Sequence, residues 1–194
     1  MKFIFATHNA NKLAEVRAML PSQFSFSTLT ELNYHTEIPE TRDTIVGNAL
    51  QKVETVWDIF KENCFAEDTG LLVKSLNDEP NVFTARYAGE HKSSADNISL
   101  LLKNLAPHED RTAKFVTVFA LIIGGKSYTF EGVCEGTIAT SPRGEGGFGY
   151  DPVFIPKGYQ TTFAEMNSEE KHSISHRGKA LAKMVDFIRE LAIK

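Results

Sequence analysis

The chain has 194 residues, of which 42% are hydrophobic and 24% charged, and its formal net charge is −4. This length predicts one domain over residues 1–194 that buries roughly 70% of the surface exposed by the unfolded chain. The composition excludes disordered, collagenous and coiled-coil proteins, and the acidic balance argues against nucleic acid as a partner. Because the sequence contains neither a signal-peptide core nor a run near the ~18 apolar residues of a spanning helix, we expect a cytoplasmic protein without membrane contacts.

The first half of the chain alternates between strand and helix patterns. In order, the hydrophobic periodicity predicts strand 2–6, helix 10–20, helix 44–63, strand 65–66, strand 71–73 and helix 95–105. Gly70 marks a turn between the two short strands. Cys64 and Cys134 form no Cys-x-x-Cys motif and are expected to be reduced, buried thiols.

In the second half of the chain, the hydrophobic pattern changes to that of extended strands. The predicted elements are strand 113–123, strand 127–139, a glycine-rich loop 142–152, strand 153–155 and helix 177–191. Gly124 and Gly125 turn the first two strands into an antiparallel hairpin. Helices flanking a mixed sheet define an α/β protein, with the hairpin forming much of a second lobe.

A candidate anion site lies where the first strand meets the first helix. Free backbone N–H groups and the positive end of the helix favour an anion there. Thr7 and Asn9 add side-chain donors, and Lys12 adds a charge. The equally weighted alternative is that Asn9 only caps the helix and Lys12 is solvated.

Carboxylates and a lysine form a second candidate group. Asn48 and Lys52 lie one turn apart on helix 44–63, although a solvent-exposed face is the simpler interpretation of that spacing. Asp68 and its neighbour Glu67 end an apolar run, and such carboxylates suit Mg²⁺ or the deprotonation of a water molecule. The alternative is an ordinary Asp-Thr-Gly turn.

The loop over residues 142–152 is the most unusual segment. Its four glycines indicate backbone conformations or close approaches that side chains forbid. Phe148, Tyr150 and Asp151 in this loop are typical of a stacking platform with a polar handle, and surface loops rarely carry two aromatic residues.

Near the last helix, Ser175, His176 and Arg177 supply donors suited to the carbonyl oxygens of a heterocycle. The alternative is a capping segment for that helix. Another arginine beside an aromatic residue, within residues 84–89, is interpreted as a structural turn.

Taken in order, these segments resemble the inosine triphosphate pyrophosphatase (Ham1-like) family of non-canonical purine nucleotide pyrophosphatases. The resemblance covers essentially the whole chain. It rests on Thr-His-Asn-Ala-Asn-Lys at 7–12, Asn48-Ala49 with Lys52, Glu-Asp-Thr-Gly-Leu at 67–71, Thr-Ala-Arg-Tyr-Ala-Gly at 84–89, Gly-Gly-Phe-Gly-Tyr-Asp-Pro at 146–152 and Ser-His-Arg at 175–177. The chain departs from the family pattern at Glu67, Thr69 and residues 81–84, which changes one loop but not the catalytic centre.

This resemblance implies Mg²⁺-dependent hydrolysis of ITP, dITP and XTP to the monophosphate and pyrophosphate. It also implies an elongated mixed sheet flanked by helices, in two lobes with a central nucleotide cleft, and a homodimer. Asp68 matches the catalytic base and a metal ligand, and Glu40 matches a second metal ligand. The matching substrate-binding positions are Thr7, His8, Asn9, Ala10, Asn11, Lys12, Lys52, Thr69, Phe148, Gly149, Tyr150, Asp151, Lys171, His176 and Arg177.

A mechanism consistent with these residues needs charge neutralisation and a positioned water molecule. Asp68 would orient water toward the α-phosphorus, and Lys12 and Lys52 would neutralise the leaving pyrophosphate. Donors from His176 and Arg177 would favour a 6-oxo purine over the 6-amino group of ATP. The sequence leaves three alternatives: a pyrophosphatase for dUTP or a modified pyrimidine nucleotide, a non-catalytic nucleotide-binding regulator, and, disfavoured by charge, a nucleic-acid-binding module.

Overall fold

We describe residues 2–192 from a computed structural model of the chain. The strands are β1 (Lys2–Phe5), β2 (Ser25–Thr28), β3 (Cys64–Val73), β4 (Glu79–Asn81), β5 (Thr112–Ile123), β6 (Lys126–Ile138) and β7 (Phe154–Pro156). The α-helices are α1 (Ala10–Met19), α2 (Ile45–Phe60), α3 (Ser94–Leu105), α4 (Ser168–Ile174) and α5 (His176–Ala192). Within residues 2–192, no helix combines the length and the apolar character needed to cross a membrane.

The strands form one mixed sheet. Its order is β2-β1-β3-β5-β6-β7, and β4 pairs with β3 outside that path. β1 is parallel to β2 and β3, whereas β4 and β7 run antiparallel to their partners β3 and β6. Gly124 and Gly125, with φ angles of 57° and 77°, form the predicted two-residue turn between β5 and β6. The predicted α/β class is therefore confirmed.

The chain divides into two compact units, the first of which comprises Met1–Asp68, Thr117–Gly132 and Arg177–Lys194. In its core, Phe5 of β1 and Phe65 of β3 stack with ring centres 4.6 Å apart. The apolar face of α5 joins the same cluster through Ala180, Leu181, Met184, Val185 and Ile188. These five positions carry the hydrophobic periodicity that predicted helix 177–191.

The second unit comprises Thr69–Val116 and Val133–His176. Its core packs the apolar face of α3 against aromatic side chains of the sheet. Phe115 and Phe154 lie 4.7 Å apart between ring centres, in the same cluster as Ile98, Leu101 and Leu105. These three positions belong to the periodic apolar pattern that predicted helix 95–105.

The predicted turn at Gly70 is wrong, because β3 runs unbroken from Cys64 to Val73. Leu71 pairs with Asn81 of β4, and Gly70 and Leu71 are both buried. Strand pairing and burial therefore outweigh the local preference of an Asp-Thr-Gly sequence for a turn. The short strands β2 and β4 and the separate helix α4 lack a strong periodic signal and were not predicted.

Both cysteines are free and buried, as the sequence predicted. Burial raises the pKa of the Cys64 thiol to about 12. This thiol therefore stays protonated at neutral pH and packs as a small apolar side chain.

Candidate active site

The loop before α1 is organised by its own side chains. Asn9 is the N-cap of α1, and its Oδ1 accepts the backbone N–H groups of Asn11 and Lys12 at 3.0 Å. The hydroxyl oxygen of Thr7 accepts the N–H of Asn9 at 3.1 Å. The capping interpretation of Asn9 is thus confirmed, but Lys12 is not solvated. Its ammonium lies 3.2 Å from the Glu67 carboxylate, with a side chain only 16% exposed.

His8 is exposed, and its ring contacts two other residues. Nε2 lies 3.0 Å from the carbonyl oxygen of Thr36, and the ring stacks on Tyr34 with centres 6.4 Å apart. His8 therefore connects the candidate anion loop to the segment that leads toward Glu40. Ala10 is the first residue of α1 and contributes backbone only to this loop.

The segment around Glu40 is fastened to α2 by side-chain hydrogen bonds. Asn48 accepts the backbone N–H of Arg42 at 2.9 Å, and Gln51 accepts that of Thr41 at the same distance. At Gly47, a β-carbon would lie 2.9 Å from the Arg42 side chain, so glycine permits this close approach. These contacts fix the backbone position from which Glu40 reaches α2.

Lys52 links two carboxylates that are distant in sequence. Its ammonium donates to Glu40 Oε1 at 2.6 Å and to Asp68 Oδ1 at 2.8 Å. The exposed interpretation of this helix face is wrong, because Asn48 and Lys52 are both buried. Although burial alone would lower the pKa of Lys52, the charges of Asp68 and Glu40 raise it above its ordinary value. The amine is therefore a fixed cation between two anions.

Glu67 and Asp68 are neighbours in β3 but contact different partners, because adjacent residues of a strand point to opposite faces. Arg177 of α5 donates to both Glu67 oxygens at 3.0 Å through Nε and Nη2. Arg177 Nη1 donates to Glu15 at 2.5 Å. Burial would raise the pKa of Glu67, but the charges of Arg177 and Lys12 hold it well below its ordinary value. Glu67 is thus an ionised, fully buried carboxylate.

Sequence reasoning missed Glu15 and Gln51. Each lies three positions after a residue that was singled out, Glu15 after Lys12 and Gln51 after Asn48, and therefore on the same helix face. That spacing is the signal that could have identified them.

In the second unit, Asp151 organises the glycine-rich loop. Its Oδ2 accepts the backbone N–H of Phe148 and the ammonium of Lys171, both at 2.7 Å. The Lys171 ammonium also lies 5.3 Å from the centre of the Phe148 ring. Gly147 has a φ of 71°, and a β-carbon at this position would collide with Asp151 Oδ2. The loop therefore holds the half-buried Phe148 ring in a defined place.

The remaining predicted residues occupy distinct environments. Tyr150 is buried and donates its hydroxyl to the carbonyl of Thr84 at 3.0 Å, so it belongs to the core and does not present a stacking face. His176 begins α5, and its buried ring stacks on Phe115 with centres 4.4 Å apart. Ser175 is the C-cap of α4, Thr69 is half-buried in β3, and Gly149 has a φ of 63°. His176 and Arg177, adjacent in sequence, therefore have different partners.

No cluster of three or more His, Cys, Asp or Glu side chains suited to a metal ion occurs in the part of the chain that the structure describes. Glu40 and Asp68 are two carboxylates that contact the same ammonium, that of Lys52. A separate groove of about 620 Å³ on the second unit, lined by Leu72, Lys114, Ile155 and Tyr159 among others, includes none of the predicted site residues.

Comparison with known proteins gives the family. The sequence model of the Ham1 family matches residues 3–187, and the chain belongs to that family. It is 46% identical to the dITP/XTP pyrophosphatase of Flavobacterium johnsoniae, over 97% of this chain and 98% of that protein. It is 43% identical to the dITP/XTP pyrophosphatase of Bacillus subtilis, over 93% of each. The resemblance noted in the sequence is confirmed.

Solved structures agree with this assignment. The Ham1 protein of Staphylococcus aureus superposes with a TM-score of 0.89 at 34% identity, over 98% of this chain and 99% of that one. A HAM1 protein from Coxiella burnetii gives a TM-score of 0.89 at 37% identity, with the same coverage. The fold of this chain is therefore that of Ham1 proteins.

Proposed function

We propose that the protein hydrolyses non-canonical purine nucleoside triphosphates (dITP, ITP and XTP) to the monophosphate and pyrophosphate. The observation that carries this proposal is the Glu40–Lys52–Asp68 cluster, which places a buried ammonium and a carboxylate base together in a Ham1-family chain. The names of the relatives support the choice of substrate.

Magnesium is part of this proposal, and the chemistry of the donors fits it. Mg²⁺ prefers carboxylate oxygens and usually takes one or two from the protein, with water and phosphate completing its shell. Glu40 and Asp68 would hold the ion, and the Glu40 side chain, 37% exposed, is reachable from solvent. When bound, Mg²⁺ would neutralise charge on the phosphate oxygens.

The charge balance of this cluster also favours a divalent cation. Together with the adjoining ion pairs of Glu67, it contains four carboxylates and three cationic side chains: Glu15, Glu40, Glu67 and Asp68 with Lys12, Lys52 and Arg177. One negative charge is therefore left over, and a triphosphate would be repelled unless a cation accompanied it.

In the proposed reaction, Asp68 accepts a proton from a water molecule whose oxygen attacks the α-phosphorus. The bond between the α-phosphorus and its bridging oxygen breaks, and the pyrophosphate leaves with that oxygen. Lys12 and Lys52 donate to the phosphate oxygens and stabilise the charge that develops on the leaving group.

We assign the purine base to Phe148 and His176. Phe148 offers a ring face whose position Asp151 and Lys171 fix. Hypoxanthine and xanthine carry a 6-oxo acceptor where adenine carries a 6-amino donor, so donors from His176 would favour the former. A base-reading role for Arg177 stays a prediction, since its guanidinium is engaged by Glu67 and Glu15.

The test is pyrophosphate release from dITP, ITP, XTP, GTP, ATP and dUTP, each with Mg²⁺ and with EDTA. We expect metal-dependent release from dITP, ITP and XTP. A preference for dUTP would replace the purine assignment with a pyrimidine one. Binding of these nucleotides without release would indicate a regulator and overturn the proposed catalysis.

We also propose a cytoplasmic homodimer, as the sequence and its resemblance to the family implied. Light scattering on the eluting protein tests the dimer, because a mass equal to one 21.6 kDa chain would contradict it. Fractionation of the source cells tests the location.

A further inference from the structure

The ammonium of Lys52 lies where the two proposed metal ligands meet. It is 2.6 Å from Glu40 Oε1 and 2.8 Å from Asp68 Oδ1, and its side chain is only 6% exposed. One cation of the protein itself thus contacts both carboxylates to which the proposed function assigns Mg²⁺.

The surrounding contacts keep Lys52 in this position. Lys52 projects from α2, and Asn48 and Gln51 of the same helix hold the backbone just after Glu40. Asp68 is fixed by β3. Because a buried ammonium that loses its carboxylates is strongly unfavourable, Lys52 can leave them only for another anion.

We propose that Lys52 keeps the divalent cation out of the Glu40–Asp68 pair until a phosphate group takes its ammonium, so that metal and nucleotide bind together. This inference rests on the proposed function for two assignments, the cation to these carboxylates and the phosphates to Lys52. It adds a role for Lys52 beyond charge neutralisation of the leaving group.

The physical reason is competition for the same oxygens. A dication bound beside an ammonium on shared carboxylates is repelled by it over a few ångströms of poorly screened space. A phosphate oxygen removes this repulsion, because it gives Lys52 a new partner and contributes a ligand to the ion. By linkage, the metal must then raise nucleotide affinity by the factor by which the nucleotide raises metal affinity.

The test measures Mn²⁺ binding to the full chain without nucleotide, from the electron paramagnetic resonance signal of free Mn²⁺. We expect Lys52→Gln to bind Mn²⁺ about 10- to 100-fold more tightly than the wild-type protein, the scale on which neighbouring groups alter metal affinity. The matched control is Lys12→Gln, which removes the same charge from the Glu67 side of the cluster. Lys12→Gln should change Mn²⁺ affinity by no more than about twofold, because the Glu40–Lys52–Asp68 contacts stay intact.

A double variant locates the ion. Glu40→Gln combined with Lys52→Gln should lose the gain in Mn²⁺ affinity, since one of the two carboxylates is then neutral. Thermal unfolding provides a second readout if Lys52→Gln lowers stability. Mn²⁺ should raise the melting temperature of Lys52→Gln by more than that of the wild-type protein, because the carboxylate pair of the variant has lost the competing ammonium.

Equal Mn²⁺ affinity in Lys52→Gln and the wild-type protein would overturn the inference, as would an equal gain in Lys12→Gln. Either result leaves the proposed function standing if the wild-type protein still releases pyrophosphate from XTP. Failure of that release, by contrast, removes the proposed function whatever the Mn²⁺ affinities are.

Discussion

Glu67 and Arg177 are 110 positions apart in the chain, yet they meet through two parallel N–H···O bonds of 3.0 Å. Both side chains are almost completely buried. The planar guanidinium of arginine matches the two oxygens of a carboxylate in this bidentate geometry, and a lysine could not reproduce it. This pair joins β3 to α5, and through Lys12 it also sets the charge beside the candidate phosphate site.

Replacing Arg177 by Met is expected to lower the free energy of unfolding by about 3 kcal/mol, because Glu67 then stays buried with too little compensating charge. Urea denaturation measures this loss. The matched control is Arg189→Met in the same helix, where the ion pair with Asp186 is exposed and the expected loss is below about 1 kcal/mol. Equal losses of unfolding free energy in the two variants would show that the buried Arg177–Glu67 pair stabilises the protein no more than an exposed ion pair does.

Arg177→Ala also tests whether Arg177 reads the base. If it does, the Michaelis constant for ITP should rise and the preference for ITP over ATP should narrow. If Arg177 acts only through Glu67, the Michaelis constants for ITP and ATP should rise by the same factor, and the preference for ITP over ATP should stay constant. Steady-state kinetics with both substrates separates these results.

The lowered pKa of Glu67 predicts a pH dependence of stability. The ordinary value is 4.5, and Arg177 and Lys12 hold the folded-state pKa below it, against the effect of burial. The unfolded state therefore binds more protons than the folded state once the pH falls below about 5. The stabilisation is complete above that pH and is lost progressively as the pH falls toward the folded-state pKa.

We accordingly expect the free energy of unfolding to fall more steeply between pH 5 and pH 3 in the wild-type protein than in Glu67→Gln. The difference in slope should correspond to the uptake of up to about one additional proton on unfolding. Urea titrations at several pH values within this range measure both slopes. Parallel curves for the two proteins would mean that Glu67 titrates alike in the folded and unfolded states.

Gly147→Ala should weaken substrate binding. Its β-carbon would displace Asp151, which holds the Phe148 backbone and the Lys171 ammonium, and we expect the Michaelis constant for XTP to rise about tenfold or more. Gly158→Ala is the control, because Gly158 also has a positive φ, of 89°, but no atom lies near its β-carbon position. Gly158→Ala should cost about 1–2 kcal/mol of stability through its positive φ alone, and Gly147→Ala should cost more because it also displaces Asp151. Only Gly147→Ala should alter the Michaelis constant.

Asp68→Asn is expected to lower kcat for XTP by about 10²- to 10⁴-fold, since the amide cannot accept the proton of the attacking water. Nucleotide binding, measured by calorimetry, should weaken with the loss of a metal ligand but stay measurable. Asp58→Asn changes an exposed carboxylate of the same unit and should leave kcat unaltered. Turnover by Asp68→Asn close to the wild-type rate would reject Asp68 as the base.

Features that depend on neighbours in sequence were predictable. The Asn9 cap involves N–H groups two and three positions away, and the Gly124–Gly125 turn joins adjacent strands. The buried faces of α3 and α5 follow from helical periodicity alone. Each of these is determined within a few residues of chain.

Contacts between distant segments were not predictable in the same way. Lys52 looked like a surface residue because its carboxylates come from 12 and 16 positions away, outside its own helix face. Arg177 looked available to a ligand because nothing near it in sequence reveals its pairing with Glu67. At Gly70 a local turn signal was overridden by pairing with β4. A single sequence records local preferences, whereas these outcomes depend on tertiary partners.

The opposite orientation of Glu67 and Asp68 restricts how the gene for this protein can change. The pairing of Ile4 with Cys64 and of Phe5 with Phe65 fixes the register of β3 only two residues before Glu67. Inserting or deleting one codon between Phe65 and Glu67 would turn each carboxylate to the opposite face of the strand, so that Glu67 would lose Lys12 and Asp68 would lose Lys52. Length variation among descendants of this gene should therefore be absent from that short stretch and tolerated in turns such as the one between β5 and β6.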